Sequence, residues 1–218
     1  LALQSYHPDF FGGAWGLYPD PVDFRRYQLS NAYADTNAFV VARSSWLASE
    51  VPAERGPDGM PTITMRQESQ LENALGTHGR SGEQLEAWDA VFDPVGPDGY
   101  PAPVWDKRTG HIDHAVAAAM RDNGYDLRAY LESHWRTAGP HLRGKLHVVV
   151  GDMDNYYLNL ASYLLQDYLD STTAPHYDGS FTYGRPLKPH GWQPWTDAAF
   201  VRMAFDTVSA HAPGSPVQ

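Results

Sequence analysis

The stretch that decides the fold is residues 146–154, LHVVVGDMD. Residues 146–150 predict a buried strand, because the run is short, apolar and rich in β-branched valine. Two carboxylates follow it, and residues 156–170 predict a helix, since apolar side chains recur there on one face. A strand that leads directly into a helix is typical of an α/β fold, in which sites lie beyond the carboxyl ends of parallel strands.

The pattern continues on both sides of this unit. Helices are predicted over residues 115–121 and 127–137, before the strand. A second strand is predicted at residues 181–183, followed by a loop at 188–192 and a last helix from residue 197. This alternation predicts a mostly parallel sheet flanked by helices.

The first part of the chain is less regular. Residues 1–6 predict a helix and residues 10–18 a buried strand. Residues 22–140 combine short helices with apolar runs that are separated by turns such as GPDG at 56–59. We therefore expect a single domain over 1–218, with a helical and irregular, cap-like insertion at 22–140.

Composition narrows the possible functions. The 218 residues carry 16 Lys and Arg against 26 Asp and Glu, a net charge of −10, which argues against nucleic acid as a partner. No apolar run is long enough to span a membrane, so no membrane partner is expected. The chain has no cysteine, which excludes disulfides, thiolate nucleophiles and zinc–thiolate sites. A small-molecule substrate is expected, with no cofactor, and neither the oligomeric state nor the cellular compartment is predicted.

Asp154 and His190 form the most suggestive pair of functional residues. Asp154 follows the predicted strand, and His190 lies in a proline-stiffened loop after the next strand. An acid followed by a histidine matches the chain order of a Ser–Asp–His triad. Two plainer interpretations stay open: Asp154 caps the following helix, and His190 is an ordinary loop histidine. Asp152 competes with Asp154 for the role of the acid.

Two metal sites are weaker alternatives. Asp152 and Asp154 form a D-x-D pair that could hold Mg²⁺ in a phosphoryl or glycosyl transferase. An aspartyl-phosphate enzyme of this type also needs a downstream lysine and a second acidic pair. Lys188 is the only lysine after residue 145, and no second acidic pair follows. The His111–His114 segment could supply metal ligands, but Asp113 within it is a good helix cap. No metal site is therefore predicted, and a non-catalytic binding module remains a third possibility.

Several segments resemble a group of esterases in the α/β-hydrolase superfamily, and together they extend over almost the whole chain. They are LALQ at 1–4, HPDFFGG at 7–13, Trp15, WDKRTGHID at 105–113, GKLH at 144–147, GDMDNYYL at 151–158 and PHGW at 189–192. The resemblance implies that the chain is the C-terminal part of this fold, with Asp154 as the triad acid and His190 as the base. It also implies that Leu1 lies on the helix after the nucleophile elbow.

The elbow motif G-x-S-x-G is absent, and the nearest stretch is GRSG at 79–82. The expected function is thus that of a serine hydrolase acting on carboxylic esters through an acyl-enzyme, with the nucleophile missing from this chain. The 218 residues alone are expected to be inactive. Trp192 and Trp195, beside His190, are predicted to line the substrate cleft.

Overall fold

A computed structural model describes residues 1–44 and 46–212 and is 37% helical and 18% strand. Its elements in chain order are α1 (Ala2–Tyr6), β1 (Ala14–Leu17), a 3₁₀ turn (Phe24–Arg26), β2 (Val40–Ser44), β3 (Leu47–Glu50), β4 (Pro52–Arg55), β5 (Pro61–Thr64), α2 (Met65–Leu75), α3 (Gln84–Phe92), α4 (His114–Asp122), α5 (Leu127–Ala138), a 3₁₀ turn (Gly139–His141), β6 (Leu146–Gly151), α6 (Asn159–Asp170), β7 (Ser180–Gly184) and α7 (Asp197–Ala210).

The chain divides into two compact units. The first contains Leu1–Asp23, Leu127–Asp154 and the described part of Leu158–Gln218, and the second contains Phe24–Asp126 and Asn155–Tyr157. Helix α5 thus belongs to the first unit, although the predicted insertion at 22–140 includes it. Whether the second unit is a cap inserted into a hydrolase stays a prediction.

The first unit is built on a three-stranded parallel sheet in the order β1-β6-β7. Strand β6 lies in the middle, and five of its six residues are buried. A central strand of a parallel sheet is buried on both faces, so its residues are apolar without alternation, which explains the run of valines. The prediction of an α/β fold is confirmed at this level.

The core of the first unit joins this sheet to two helices. Helix α5 contributes Leu131 and Trp135, and α6 contributes Leu165 and Leu169 at the spacing of one helix face. These side chains pack with Val148 of β6 in one buried cluster. Burying a leucine of this kind stabilises the fold by roughly 1.5–3 kcal/mol. The core therefore holds β6 and the start of α6 in place.

Two predicted boundaries were wrong. The strand expected at 10–18 covers only Ala14–Leu17, and Phe10 is 81% exposed. The helix expected from residue 156 begins at Asn159, because Tyr157 adopts a left-handed φ of 62° that interrupts the helix.

The second unit contains two antiparallel strand pairs, β2–β3 and β4–β5, together with helices α2, α3 and α4. From the sequence, short helices are predicted at 68–75 and 83–92, and weak strands only at 37–41 and 63–65. The helices were thus indicated, but the strand pairs only in part. A capping box between Thr64 and Gln67 begins α2, and the buried carboxylate of Glu72 accepts the backbone N–H groups of Leu85 and Glu86 at the start of α3. Over residues 1–44 and 46–212, no helix is both long and apolar enough to cross a membrane.

Candidate active site

Asp154 lies just beyond the carboxyl end of β6 and is fully buried. Its backbone N–H donates to Gly151 O at 3.2 Å, so the chain turns sharply here. Its Oδ1 accepts the Leu158 N–H at 3.2 Å, next to the first residue of α6, and its Oδ2 lies 2.8 Å from Nδ1 of His190. The carboxylate therefore accepts a backbone N–H at the start of α6 and contacts the histidine at the same time.

The loop that carries His190 follows β7 and is bound to the end of β6. Lys188 N–H donates to Asp152 Oδ1 at 3.2 Å, and Met153 N–H donates to Lys188 O at 3.0 Å. Gly151 allows this approach, because a Cβ at its position would overlap the carbonyl oxygens of Lys188 and Pro189. His190 thus lies on a loop whose position is fixed by its hydrogen bonds to the end of β6.

The two candidate acids have different partners. Asp154 contacts His190, whereas Asp152 contacts the backbone of Lys188 in the same loop. Asn159 Nδ2 donates to the carbonyl oxygen of Asp152 at 3.3 Å, which adds a second link to α6. The geometry favours Asp154 as the group that orients the imidazole and Asp152 as the group that positions the loop.

The hydrogen bond to Asp154 also determines which nitrogen of the His190 ring carries the proton. A carboxylate only accepts, so Nδ1 carries the proton and donates it to Oδ2. In the neutral ring, Nε2 then has the lone pair that can accept a proton. The His190 side chain is 30% exposed, whereas that of Asp154 is 0% exposed. A buried acid beside a partly exposed imidazole suits a general base.

Tyr18 belongs to the same site, and sequence reasoning missed it. It directly follows β1, and its ring centroid lies 4.7 Å from that of His190 with an interplanar angle of 65°. Tyr18, Asp154 and His190 thus follow the carboxyl ends of the three strands of one parallel sheet. An aromatic residue at a strand end, directly before Pro19, was the available signal.

The two predicted cleft residues are placed as follows. Trp192 packs against Gly184, where an added Cβ would lie 2.5 Å from Cε3 of the indole. The ring of Trp195 lies 5.8 Å from that of Phe200 in α7. Both indoles thus pack against other residues of the first unit, and their role in substrate binding stays a prediction.

The other candidate sites have structural partners. Asp113 caps α4, because its Oδ1 accepts the N–H groups of Ala115 and Val116. The imidazole of His114 lies 2.8 Å from the carbonyl oxygen of Asp35. Within residues 1–44 and 46–212, no three His, Cys, Asp or Glu side chains are grouped so that they could hold a metal ion.

Comparison of the chain with protein-family models, with curated proteins and with solved structures finds no match. The resemblance to α/β-hydrolase esterases therefore stays a prediction.

Proposed function

We propose that this chain carries the acid and the base of a serine hydrolase that acts on carboxylic esters. The observation that supports the proposal is the 2.8 Å contact between His190 Nδ1 and the fully buried Asp154 Oδ2, beyond the ends of adjacent parallel strands. An α/β-hydrolase has its acid and its histidine in this chain order. In this proposal the three-stranded sheet is the C-terminal part of that fold.

The proposed chemistry follows from the state of the ring. His190 Nε2 takes the proton of a serine hydroxyl as that oxygen attacks the ester carbonyl carbon, and returns it to the leaving alcohol. Asp154 holds the tautomer and stabilises the imidazolium that forms. Water then hydrolyses the acyl-enzyme with His190 again as the base.

The nucleophile in this proposal comes from polypeptide outside these 218 residues, because G-x-S-x-G does not occur among them. The 218-residue chain by itself should therefore not hydrolyse esters. Magnesium-dependent transfer through Asp152 and Asp154 has less support, since Asp154 contacts Leu158 N–H and His190 and Asp152 contacts Lys188 N–H. No observation favours a purely binding function.

The test uses the protein expressed from its complete reading frame, with p-nitrophenyl esters of short acids as substrates. Asp154→Asn should lower kcat by roughly 10⁴-fold, because the orientation of the proton acceptor is lost, and His190→Ala by roughly 10⁶-fold, because the acceptor itself is lost. Asp152→Asn is the matched control, since an amide oxygen can still accept the Lys188 N–H, and it should stay within about threefold of the wild type.

Two results would overturn this proposal. One is an absence of ester hydrolysis by the complete protein, and the other is a wild-type rate in His190→Ala. If Asp152→Asn were inactive and Asp154→Asn active, the assignment of the acid would be reversed.

A further inference from the structure

Tyr18 has a backbone conformation that its sequence context does not favour. Its φ is 43°, in the left-handed region that bulky side chains seldom occupy. The next residue is Pro19, and a residue before proline prefers extended angles. Strain of this kind persists only where the surrounding structure enforces it, and it is concentrated at functional sites.

The surroundings of Tyr18 show what enforces the conformation. Its backbone N–H donates to Val149 O, which extends the pairing of β1 with β6 by one residue. The backbone is therefore fixed to the central strand, and from that point the side chain reaches His190. The two rings meet at 4.7 Å with a 65° interplanar angle, within the range of an edge-to-face aromatic contact.

His190 is thus in contact with residues from two other strand ends. Asp154, after β6, restrains the ring through one hydrogen bond at Nδ1. A hydrogen bond at one ring nitrogen does not by itself stop a partly exposed imidazole from rotating about its side-chain torsions or from exchanging that proton with water. An aromatic ring packed edge-to-face against the imidazole restricts that rotation, so the Nδ1–H stays directed at Asp154.

We infer that Tyr18 is a positioning residue, which fixes the ring plane of His190 and protects the Nδ1–H···Asp154 hydrogen bond. Its catalytic meaning rests on the proposed function, since only a working base benefits from a fixed Nε2. The contact itself is a property of the folded chain. It can therefore be tested without any substrate.

The experiment is NMR of the His190 Nδ1–H proton in the protein expressed from its complete reading frame, with Asp154→Asn used to assign the signal. In Tyr18→Ala, exchange of this proton with water should become at least tenfold faster. In Tyr18→Phe, which keeps the ring, it should stay within twofold of the wild type. Circular dichroism and thermal unfolding establish that each variant is folded.

Two further variants distinguish the effect of the aromatic ring from the effects of backbone conformation and of side-chain volume. Tyr18→Gly tolerates the positive φ and also lacks the ring, so it should exchange as fast as Tyr18→Ala. Tyr18→Leu fills much of the space without an aromatic ring and should fall between Ala and Phe. Leucine also keeps the test informative if the smaller variants do not fold.

Wild-type exchange in folded Tyr18→Ala or Tyr18→Leu would overturn the inference, whatever the esterase result. In the complete protein, Tyr18→Leu should lower kcat about tenfold with KM within twofold, because the base is misoriented while binding is unchanged. Absence of ester hydrolysis together with accelerated exchange would instead overturn the proposed function and leave the positioning role of Tyr18 intact.

Discussion

At the scale of single residues, Gly151 determines how closely the histidine loop approaches the acid. It ends β6, and the carbonyl groups of Lys188 and Pro189 occupy the space that a side chain would need. The backbone of the same loop is bonded to Asp152 and Met153. A methyl group at this position would push the loop, and His190 with it, away from Asp154.

Gly151→Ala should therefore weaken both the site and the fold. We expect kcat of the complete protein to fall at least 100-fold, and the free energy of unfolding to fall by about 1–3 kcal/mol, as in overpacked cores. Enzyme kinetics and urea unfolding measure the two effects.

Gly82→Ala is the control, because a Cβ there meets nothing within 4 Å and only its φ of 79° opposes a side chain. It should cost about 1 kcal/mol and leave the activity unchanged. Equal kinetic losses in the two variants would show that Gly151 has no special part in placing the loop.

At the scale of elements, helix starts are set by local caps. Asp113 begins α4 by accepting the N–H groups of Ala115 and Val116, and Thr196 begins α7 by accepting the N–H of Ala199. Both starts were predicted from the sequence, since a cap bonds to residues only two or three positions away. Asp113 lies between two histidines at a spacing that resembles a metal site, but it caps α4.

Asp113→Ala should lower the free energy of unfolding by about 1 kcal/mol, because two N–H groups of α4 lose their acceptor. Asp113→Ser should retain most of the stability, since serine caps about as well. Urea unfolding of the three proteins measures the difference. An alanine variant as stable as the wild type would contradict the capping role.

At the scale of the whole molecule, the second unit buries carboxyl groups whose ionisation opposes folding. Burial, with the charge of Asp89 nearby, raises the pKa of Asp93 to about 8. Burial also raises the pKa of Glu68 to about 7, and Glu72 adds to that shift. In the unfolded chain both groups lose their protons near pH 4.

The stability of the second unit should therefore fall as the pH rises from about 4 to about 8. Over this range the folded state holds protons that the unfolded state has lost, so each such group lowers the free energy of unfolding by at most about 1.4 kcal/mol per pH unit. Urea unfolding at pH 5, 6.5 and 8 measures the slope.

Asp93→Asn should flatten this slope, because the amide does not titrate and its oxygen can still accept the Val104 N–H that Asp93 accepts at 3.1 Å. Asp106 behaves in the opposite way, because hydrogen bonds from Thr109 lower its pKa. The stability that Asp106 contributes is therefore lost only as the pH falls below about 4, outside the range of this test. A slope unchanged in Asp93→Asn would show that this carboxyl is ionised in the folded state at neutral pH.

The sequence by itself determined the central strand, most helices and the order of an acid followed by a histidine. Apolar runs and caps act within a few residues, so they can be read along the chain. The antiparallel pairs of the second unit were largely missed, because β2 to β5 are short and much of their surface is exposed.

Only the tertiary structure decided which acid contacts His190 and that Tyr18 lies against its ring. Those contacts join residues that are distant in the chain and depend on the parallel register of β1, β6 and β7. They also depend on the missing side chain of Gly151, which lets the histidine loop lie against the end of β6. Local preference cannot encode such an approach, because it is set by how separate segments pack together.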